Sequence, residues 1–169
     1  MSTLRSGRNL MLTGVAGVAI AAYGVYVEHQ KRLHQSKYSA LCDSKYFSCS
    51  KVMTSEFGSL LSYHGVVASG SALDQPNAVL GLFAYLLFAL YPVLRAVPFH
   101  AYFYVIASTC ALLASGYLAL ILAFVLKSVC LVCIASYVVN VLLFWNSLQL
   151  LYDDQVASRR RQHAKAKQL

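Results

Sequence analysis

The chain has 169 residues, of which 59% are hydrophobic and only 12% are charged, and its mean hydropathy is +0.58. Soluble domains carry roughly 25% charged residues, so this composition excludes an ordinary water-soluble fold and indicates a membrane protein. The formal net charge is +8, but the basic residues lie at the chain ends and in one loop, without interleaved aromatic residues. We therefore expect this charge to meet membrane lipid and not nucleic acid.

Four apolar segments approach the length of about 20 residues that a bilayer-spanning helix needs. They cover residues 10–27, 78–94, 101–126 and 131–151. The first is rich in Gly and Ala, which favours close helix packing in lipid; the alternative, a cleaved signal peptide, would leave an odd number of spans. The sequence therefore predicts an all-α membrane protein, with residues 1–169 forming a single membrane domain built as a four-transmembrane-helix bundle.

Residues 28–77 form the one sizeable polar segment, and we expect this loop to cap one end of the bundle. Ser50 is a candidate N-cap for a short helix over residues 51–57. Asp74 and Asn77 are candidate caps for the second span. The loop is thus predicted to combine a short helix with irregular structure.

The short connections predict how the spans pack. Residues 95–100, which include a proline, make the second and third spans antiparallel neighbours, and residues 127–129 make the third and fourth a tight hairpin. Residues 152–169 are polar and basic, so we expect a disordered or frayed tail.

A C-x-x-C pair, Cys130 and Cys133, stands at the start of the fourth span. Such a dithiol can close into a disulfide and reopen, and a helix N-terminus lowers the pKa of its thiols. Cys130, Cys133 and Tyr137 follow at i, i+3 and i+7, so they share one helix face. A redox pair at the mouth of a membrane helix can reach a substrate dissolved in lipid. A structural disulfide or two core cysteines is the alternative.

Other polar and sulfur-containing residues have separate interpretations. Asn77 should lie at the depth of Cys133, where its amide can bind a carbonyl oxygen, and Asn140 is predicted to form an interhelical hydrogen bond. Cys110, in the middle of the third span, is predicted to be a buried apolar residue. Cys42 and Cys49 are separated by six residues, a spacing that fits structural zinc poorly, so we predict no metal site.

Four spans place both termini on one side of the membrane and all four loop-side cysteines on the other. Because cysteine pairs that cycle through disulfides belong in an oxidising compartment, we expect cytosolic termini and lumenal cysteines. Lys165 and Lys167, fifth and third from the end, match a dilysine retrieval signal, or else belong to a solvated charge run. The prediction is a multi-pass protein of the endoplasmic reticulum membrane.

Several segments together resemble one family, the vitamin K epoxide reductases, over about residues 21–145. The segments that carry the resemblance are Ala40–Asp43, Ser48–Val52, Gln75–Asn77, Tyr117–Ala119, Phe124–Lys127 and Cys130–Ile134 with Tyr137. The resemblance implies that the C-x-x-C pair reduces vitamin K 2,3-epoxide to the quinone and then to the hydroquinone. It also implies that Cys133 attacks the substrate, that Cys130 resolves the adduct, and that Asn77 and Tyr137 hydrogen-bond the quinone oxygens.

The resemblance further assigns Cys42 and Cys49 as an electron relay that takes reducing equivalents from lumenal thioredoxin-like oxidoreductases. No permanently bound cofactor is implied, since vitamin K is the substrate, and warfarin-type anticoagulants are expected in the same pocket. There are departures from the family pattern. Met53, Leu80 and Ala84 stand where phenylalanines are expected, and Glu56-Phe57 replaces a basic residue and a tryptophan. These changes leave the chemistry intact and alter the shape of the pocket.

Two other functions use the same residues. One is a quinone-dependent disulfide-forming enzyme that oxidises lumenal thioredoxin-like partners, because the net direction of electron flow is not written in the sequence. The other is a non-enzymatic four-span adaptor whose two disulfides are structural. The adaptor predicts that removal of a cysteine abolishes folding, whereas both enzymes predict that it abolishes turnover.

Overall fold

Helices account for most of what the structure, a computed structural model, describes: residues 2–34, 39–43, 47–53, 55–59, 63–65, 68, 71 and 74–167. The helices are α1 (Ser2–His34), α2 (Cys49–Met53), α3 (Asn77–Ala89), α4 (Tyr91–Leu94), α5 (His100–Leu120) and α6 (Leu131–Ala166). A 3₁₀ turn covers Glu56–Gly58, and a π-helical segment, Ile121–Leu126, extends α5. No strand occurs in these residues, so the all-α prediction is confirmed.

Within the described part of the chain, three helices are long and apolar enough to cross a membrane: α1 from Leu4, α5 with its π-helical extension, and α6. The segment predicted as the second span is divided. Its main part, α3, has 13 residues, about 20 Å of helix, which is less than the roughly 30 Å of a bilayer core. Pro92 lies at the start of α4 and cannot donate the hydrogen bond that would continue α3. The fourth span therefore stays a prediction, in which α3 and α4 cross together.

The first helix packs along both α3 and α6, and its glycines explain how closely. A Cβ at Gly14 would lie 2.6 Å from the backbone nitrogen of Ala89, and one at Gly24 would lie 2.8 Å from Cε of Met53. At Gly14 the neighbour is backbone, so only a residue without a side chain fits there, whereas at Gly24 the flexible end of Met53 would have to shift. The close packing predicted for the Gly- and Ala-rich first segment is confirmed.

The connection between α5 and α6 is a tight hairpin, as predicted. The π-helical segment ends at Leu126, and the next residue, Lys127, has a left-handed φ of 46° that reverses the chain. Helices α5 and α6 then pack against each other. Within this pair, Nδ2 of Asn140 donates to Oγ of Ser115 at 2.6 Å. This bond confirms the predicted interhelical role of Asn140.

The second and third segments meet near the link between them. The Tyr104 hydroxyl donates to the Leu87 carbonyl at 3.1 Å, and the rings of Tyr104 and Phe88 are 5.3 Å apart. These contacts join α3 to α5 at the end of the bundle that holds the chain termini. Toward Asn77, at the other end, both helices line a cavity.

Three local predictions, for the tail, for Cys110 and for the short helix of the loop, were wrong. The tail is helical to Ala166, because residues 152–166 contain no Gly or Pro and an established helix propagates at little cost; residues 168 and 169 lie outside the described part. The Asp153 carboxylate also accepts a hydrogen bond from Ser6 at 2.6 Å, which holds this extension against α1. Cys110 is exposed on α5 and not buried, since apolar residues on a membrane helix face lipid as well as neighbouring helices.

The third wrong prediction concerns the short helix of the loop. It was expected over residues 51–57 with Ser50 as its N-cap, but α2 begins at Cys49 and ends at Met53. The reason is that the amide of Val52 already donates to the Ser48 carbonyl at 3.1 Å, so Ser50 lies within the first turn. Residue 54 lies outside the described part.

Candidate active site

The C-x-x-C pair stands where the sequence placed it, at the N-terminus of α6. Cys130 is the N-cap residue, with extended backbone angles, and its Sγ accepts a hydrogen bond from the Cys133 amide at 3.3 Å. The two residues form a disulfide with their Cα atoms 5.2 Å apart. Helix N-terminal amides stabilise a thiolate, so this position favours a reactive form of the reduced pair.

The loop pair lies beside it. Cys42 and Cys49 also form a disulfide, with a Cα separation of 6.0 Å. The Ser48 amide donates to the Val129 carbonyl at 2.9 Å, part of an isolated parallel bridge between Phe47 and Val129. Since these residues directly precede Cys49 and Cys130, the bridge draws the two pairs together.

The inner members of the two pairs share one apolar cluster. Cys49 and Cys130 are both fully buried, whereas Cys42 and Cys133 are partly buried at its edge. The remaining buried members of the cluster are Val27, Ala40, Val52 and Leu122. The four cysteines singled out from the sequence therefore meet in one region, with one fully buried and one partly buried residue in each pair.

Asp43 organises the loop around the Cys42–Cys49 disulfide. Its carboxylate accepts hydrogen bonds from the amides of Ala40 and Ser50, each at 3.0 Å, and from the Ser50 hydroxyl. Burial acts to raise the pKa of Asp43, but these bonds and one from the Cys49 amide outweigh it, so the pKa lies below its ordinary value. Sequence reasoning missed this role; the only signal was an Asp directly after one cysteine and a Ser directly after the other.

Cys42, Asp43 and Cys49 also form the one cluster of potential metal ligands among the described residues, with ligand atoms within 4.8 Å of one another. Both sulfurs are engaged in the disulfide. Zinc binds thiolates, so in this state the cluster offers a metal only the Asp43 carboxylate.

A cavity of about 420 Å³ opens beside the C-x-x-C pair, among α1, α3, α5 and α6. Most of its wall is apolar. Cys133 lines it, and so does Tyr137, one turn further along the same face of α6, whereas Cys130 does not. Cys133 therefore borders a cavity suited to a mostly apolar molecule with a few polar groups.

Asn77 lines the same cavity from α3. The prediction that Asp74 or Asn77 caps this helix is wrong, because Pro76 occupies the N-cap position and no side chain caps it. Instead, Nδ2 of Asn77 donates to the Phe57 carbonyl at 2.7 Å. The amide thus fastens the 3₁₀ turn of the loop to the start of α3, at the cavity wall.

The three positions at which the family pattern has phenylalanine and this chain does not are part of the same wall. Met53 contributes from α2, and Leu80 and Ala84 contribute from α3. Each replaces an aromatic ring with a smaller or more flexible side chain. These three residues line the cavity, so the predicted change in pocket shape occurs at the cavity wall.

The fold and the site define a class: a helical membrane oxidoreductase whose two cysteine pairs meet above an apolar cavity. The chain matches the vitamin K epoxide reductase family over residues 9–148. It is 35% identical over 139 residues to vitamin K epoxide reductase complex subunit 1 of Mus musculus, covering 80% of this chain and 84% of that protein. Against the protein of the same name from Rattus norvegicus it is 33% identical over 160 residues, covering 92% and 97%. The chain belongs to the vitamin K epoxide reductase family.

Asp43 should protect the loop disulfide in a pH-dependent way. Because its pKa is lowered on folding, its carboxylate stabilises the loop fully above the ordinary carboxyl pKa, and this stability is lost as the pH falls through the lowered value. We expect Asp43→Asn to speed reduction of Cys42–Cys49 by a water-soluble phosphine at neutral pH, with the difference from wild type disappearing in acid. Peptide mapping after timed reduction measures the rate. Asp154→Asn, which removes a carboxylate far from the loop, should change nothing; equal rates for Asp43→Asn and wild type at neutral pH would contradict the assignment.

Proposed function

We propose that this protein reduces vitamin K 2,3-epoxide to the quinone and the quinone to the hydroquinone, using Cys130 and Cys133 as the dithiol. The observation that carries the proposal is the position of Cys133 on the cavity wall, one helical turn from Tyr137, with Asn77 lining the same cavity from α3. The name of the mouse and rat relatives supports vitamin K as the substrate. An apolar cavity bordered by a thiol and two hydrogen-bonding side chains matches the chemistry of a lipid-soluble quinone.

The dithiol supplies what the reduction consumes. Two thiols release two electrons and two protons when they form a disulfide, and a quinone takes up the same number to become a hydroquinone. In this scheme Cys133 attacks the ring, and Cys130 attacks the Cys133 sulfur to release the product and close the disulfide. Asn77 and Tyr137 donate hydrogen bonds to the two quinone oxygens and stabilise the charge that develops there.

The loop pair recharges the dithiol. We assign Cys42, the more accessible member, to a lumenal thioredoxin-like donor and Cys49, buried beside Cys130, to the exchange with the C-x-x-C pair. Each transfer is a thiolate attack on a disulfide sulfur, so the two pairs must join through a mixed disulfide. The shared cluster of Cys49 and Cys130 supports this order.

The same scheme assigns the location. We infer a single membrane domain of four spans in the endoplasmic reticulum membrane, with both termini cytosolic and both cysteine pairs lumenal, where disulfides persist. A 4-hydroxycoumarin of the warfarin type is assigned to the quinone site. The basic extension of α6, with Arg159, Arg160 and Arg161 exposed, suits anionic lipid on the cytosolic face.

The test of this function is turnover by the purified full chain. With a dithiol reductant and vitamin K epoxide, we expect quinone and hydroquinone as products, none with Cys133→Ala, and near wild-type rates with Cys110→Ala, whose sulfur faces outward on α5. Thermal unfolding in detergent controls for folding. A folded Cys133→Ala variant that still turns over would remove Cys133 from this role, and loss of folding in place of turnover would favour the structural-disulfide adaptor.

Single substitutions at Asn77 and Tyr137 test whether each side chain binds a quinone oxygen. An unpaired buried polar group typically costs about 1–3 kcal/mol, so Asn77→Ala or Tyr137→Phe should lower kcat/KM by roughly 5-fold or more. Tyr137→Phe should also weaken inhibition by a 4-hydroxycoumarin. Tyr117→Phe, an equivalent change on α5 at a residue outside the cavity wall, is the matched control. Wild-type kinetics and inhibition in both site variants would move the quinone site elsewhere.

A further inference from the structure

One charged residue in the cavity wall has no part in the scheme above. Glu28 lies near the end of α1, is 7% exposed and lines the cavity. A carboxyl group buried in a membrane protein is costly and commonly marks a functional site. Its partner is Arg32, one turn further along α1, whose guanidinium lies 2.8 Å from the carboxylate and whose side chain is 65% exposed. Glu28 therefore connects the cavity to the solvent-facing end of the bundle.

The position of Glu28 along α1 is fixed by its neighbour on the same face. Gly24 precedes it by one turn, and a Cβ at Gly24 would lie 3.3 Å from Cβ of Ala78 and 3.9 Å from a methyl of Val132. Val132 adjoins Cys133, and Ala78 adjoins Asn77. The face of α1 that carries Glu28 therefore passes between the reactive cysteine and the start of α3.

Among the described residues that line the cavity, Glu28 carries the only carboxyl group. The other titratable groups on the wall are the Cys133 thiol and the Tyr137 phenol from α6 and the Tyr85 phenol from α3. The wall residues contributed by α2 and the 3₁₀ turn, among them Met53 and Phe57, are uncharged. Unperturbed phenols titrate near pH 10 and carboxyl groups near pH 4. Glu28 is thus the wall residue best suited to accept a thiol proton in neutral solution.

We propose that Glu28 is the proton carrier of this site: it accepts the proton of Cys133 and delivers it to the substrate oxygen. The inference rests on the proposed quinone reduction and adds a catalytic residue to it. The general acid–base role requires a group that is ionised before the reaction and protonated during it. Burial raises the pKa of Glu28, and the Arg32 cation at 2.8 Å opposes this rise and favours the ionised carboxylate.

The step balances for the quinone. The S–H bond of Cys133 breaks, its proton moves to Glu28, and the thiolate adds to the ring, placing the electron pair on a quinone oxygen. Glu28 then returns the proton to that oxygen. The Cys130 thiol loses its proton to the second oxygen as its sulfur bonds to Cys133, and the carbon–sulfur bond breaks with its electron pair left on the ring. Two protons and two electrons have passed from the dithiol to the hydroquinone.

A single-turnover experiment tests this role. The full chain is reduced, freed of reductant, and mixed without oxygen with vitamin K quinone, and hydroquinone formation is followed across the pH range in which carboxyl and thiol groups titrate. We expect Glu28→Gln to slow the reaction by about 10²-fold and to remove the fall in rate at acidic pH. Glu28→Asp should keep that acid limb at a reduced rate. Arg32→Gln should keep the maximal rate and move the acid limb to higher pH, because the carboxylate loses its cation.

The outcomes distinguish a failure of the proposed quinone reduction from a failure of the Glu28 role alone. If wild type forms no hydroquinone, the proposed function fails and the role of Glu28 fails with it. If wild type is active and Glu28→Gln is equally fast, or is slower with an unchanged pH profile, only the proton-carrier role is overturned. If Glu28→Gln does not fold, the test uses the pH at which the rates of Glu28→Asp and Arg32→Gln fall on the acid side of their profiles. If neither variant shifts this pH from that of wild type, the proposal is overturned.

Discussion

The hydrogen bond between the Ser48 amide and the Val129 carbonyl is the constraint on which the site depends. It joins a polar loop to the short link before α6, two segments far apart in the chain, at 2.9 Å. Each partner directly precedes a buried cysteine, so one backbone contact sets the positions of Cys49 and Cys130 together. Other contacts also attach the loop, among them the bond from Asn77 to the Phe57 carbonyl, but this one lies directly beside the two buried cysteines that the proposed relay brings together.

The four cysteines differ in burial, and the proposed relay gives each a different role. Cys49 and Cys130 are buried in one apolar cluster, which in the proposed relay keeps water from the two sulfurs that exchange. Cys133 borders the cavity, and Cys42, which is only partly buried, is the cysteine proposed to meet a donor. Asp43 holds the two sides of the loop together through hydrogen bonds from the Ala40, Cys49 and Ser50 amides and the Ser50 hydroxyl. Glu28 is the residue proposed to carry protons in this site, and its ion pair links the cavity to the exposed Arg32.

Much of this was predictable from the sequence, because membrane helices and helix-face relationships depend on local patterns. Hydropathy located the long helices. The spacing of Cys130, Cys133 and Tyr137 predicted one shared helix face, and of these residues Cys133 and Tyr137 line the cavity. Hydropathy did not predict the outward orientation of Cys110, since both faces of a membrane helix are apolar. The hydrogen bonds of Asp43 depend on how the loop folds back on itself, and the periodicity of apolar residues does not predict such a loop conformation. Equally, nothing local indicates that Glu28 lies against the cavity, because that contact is made by helices distant in sequence.

The most direct test of the relay is the disulfide that forms when one outer cysteine is removed. In Cys42→Ser, Cys49 has lost its partner and lies beside Cys130, so non-reducing peptide mapping should find a Cys49–Cys130 cross-link with Cys133 free. The double variant Cys42→Ser/Cys49→Ser is the control and should retain Cys130–Cys133. Mapping that finds only Cys130–Cys133 and a free Cys49 under every redox condition would contradict the relay and reduce the loop to a lid.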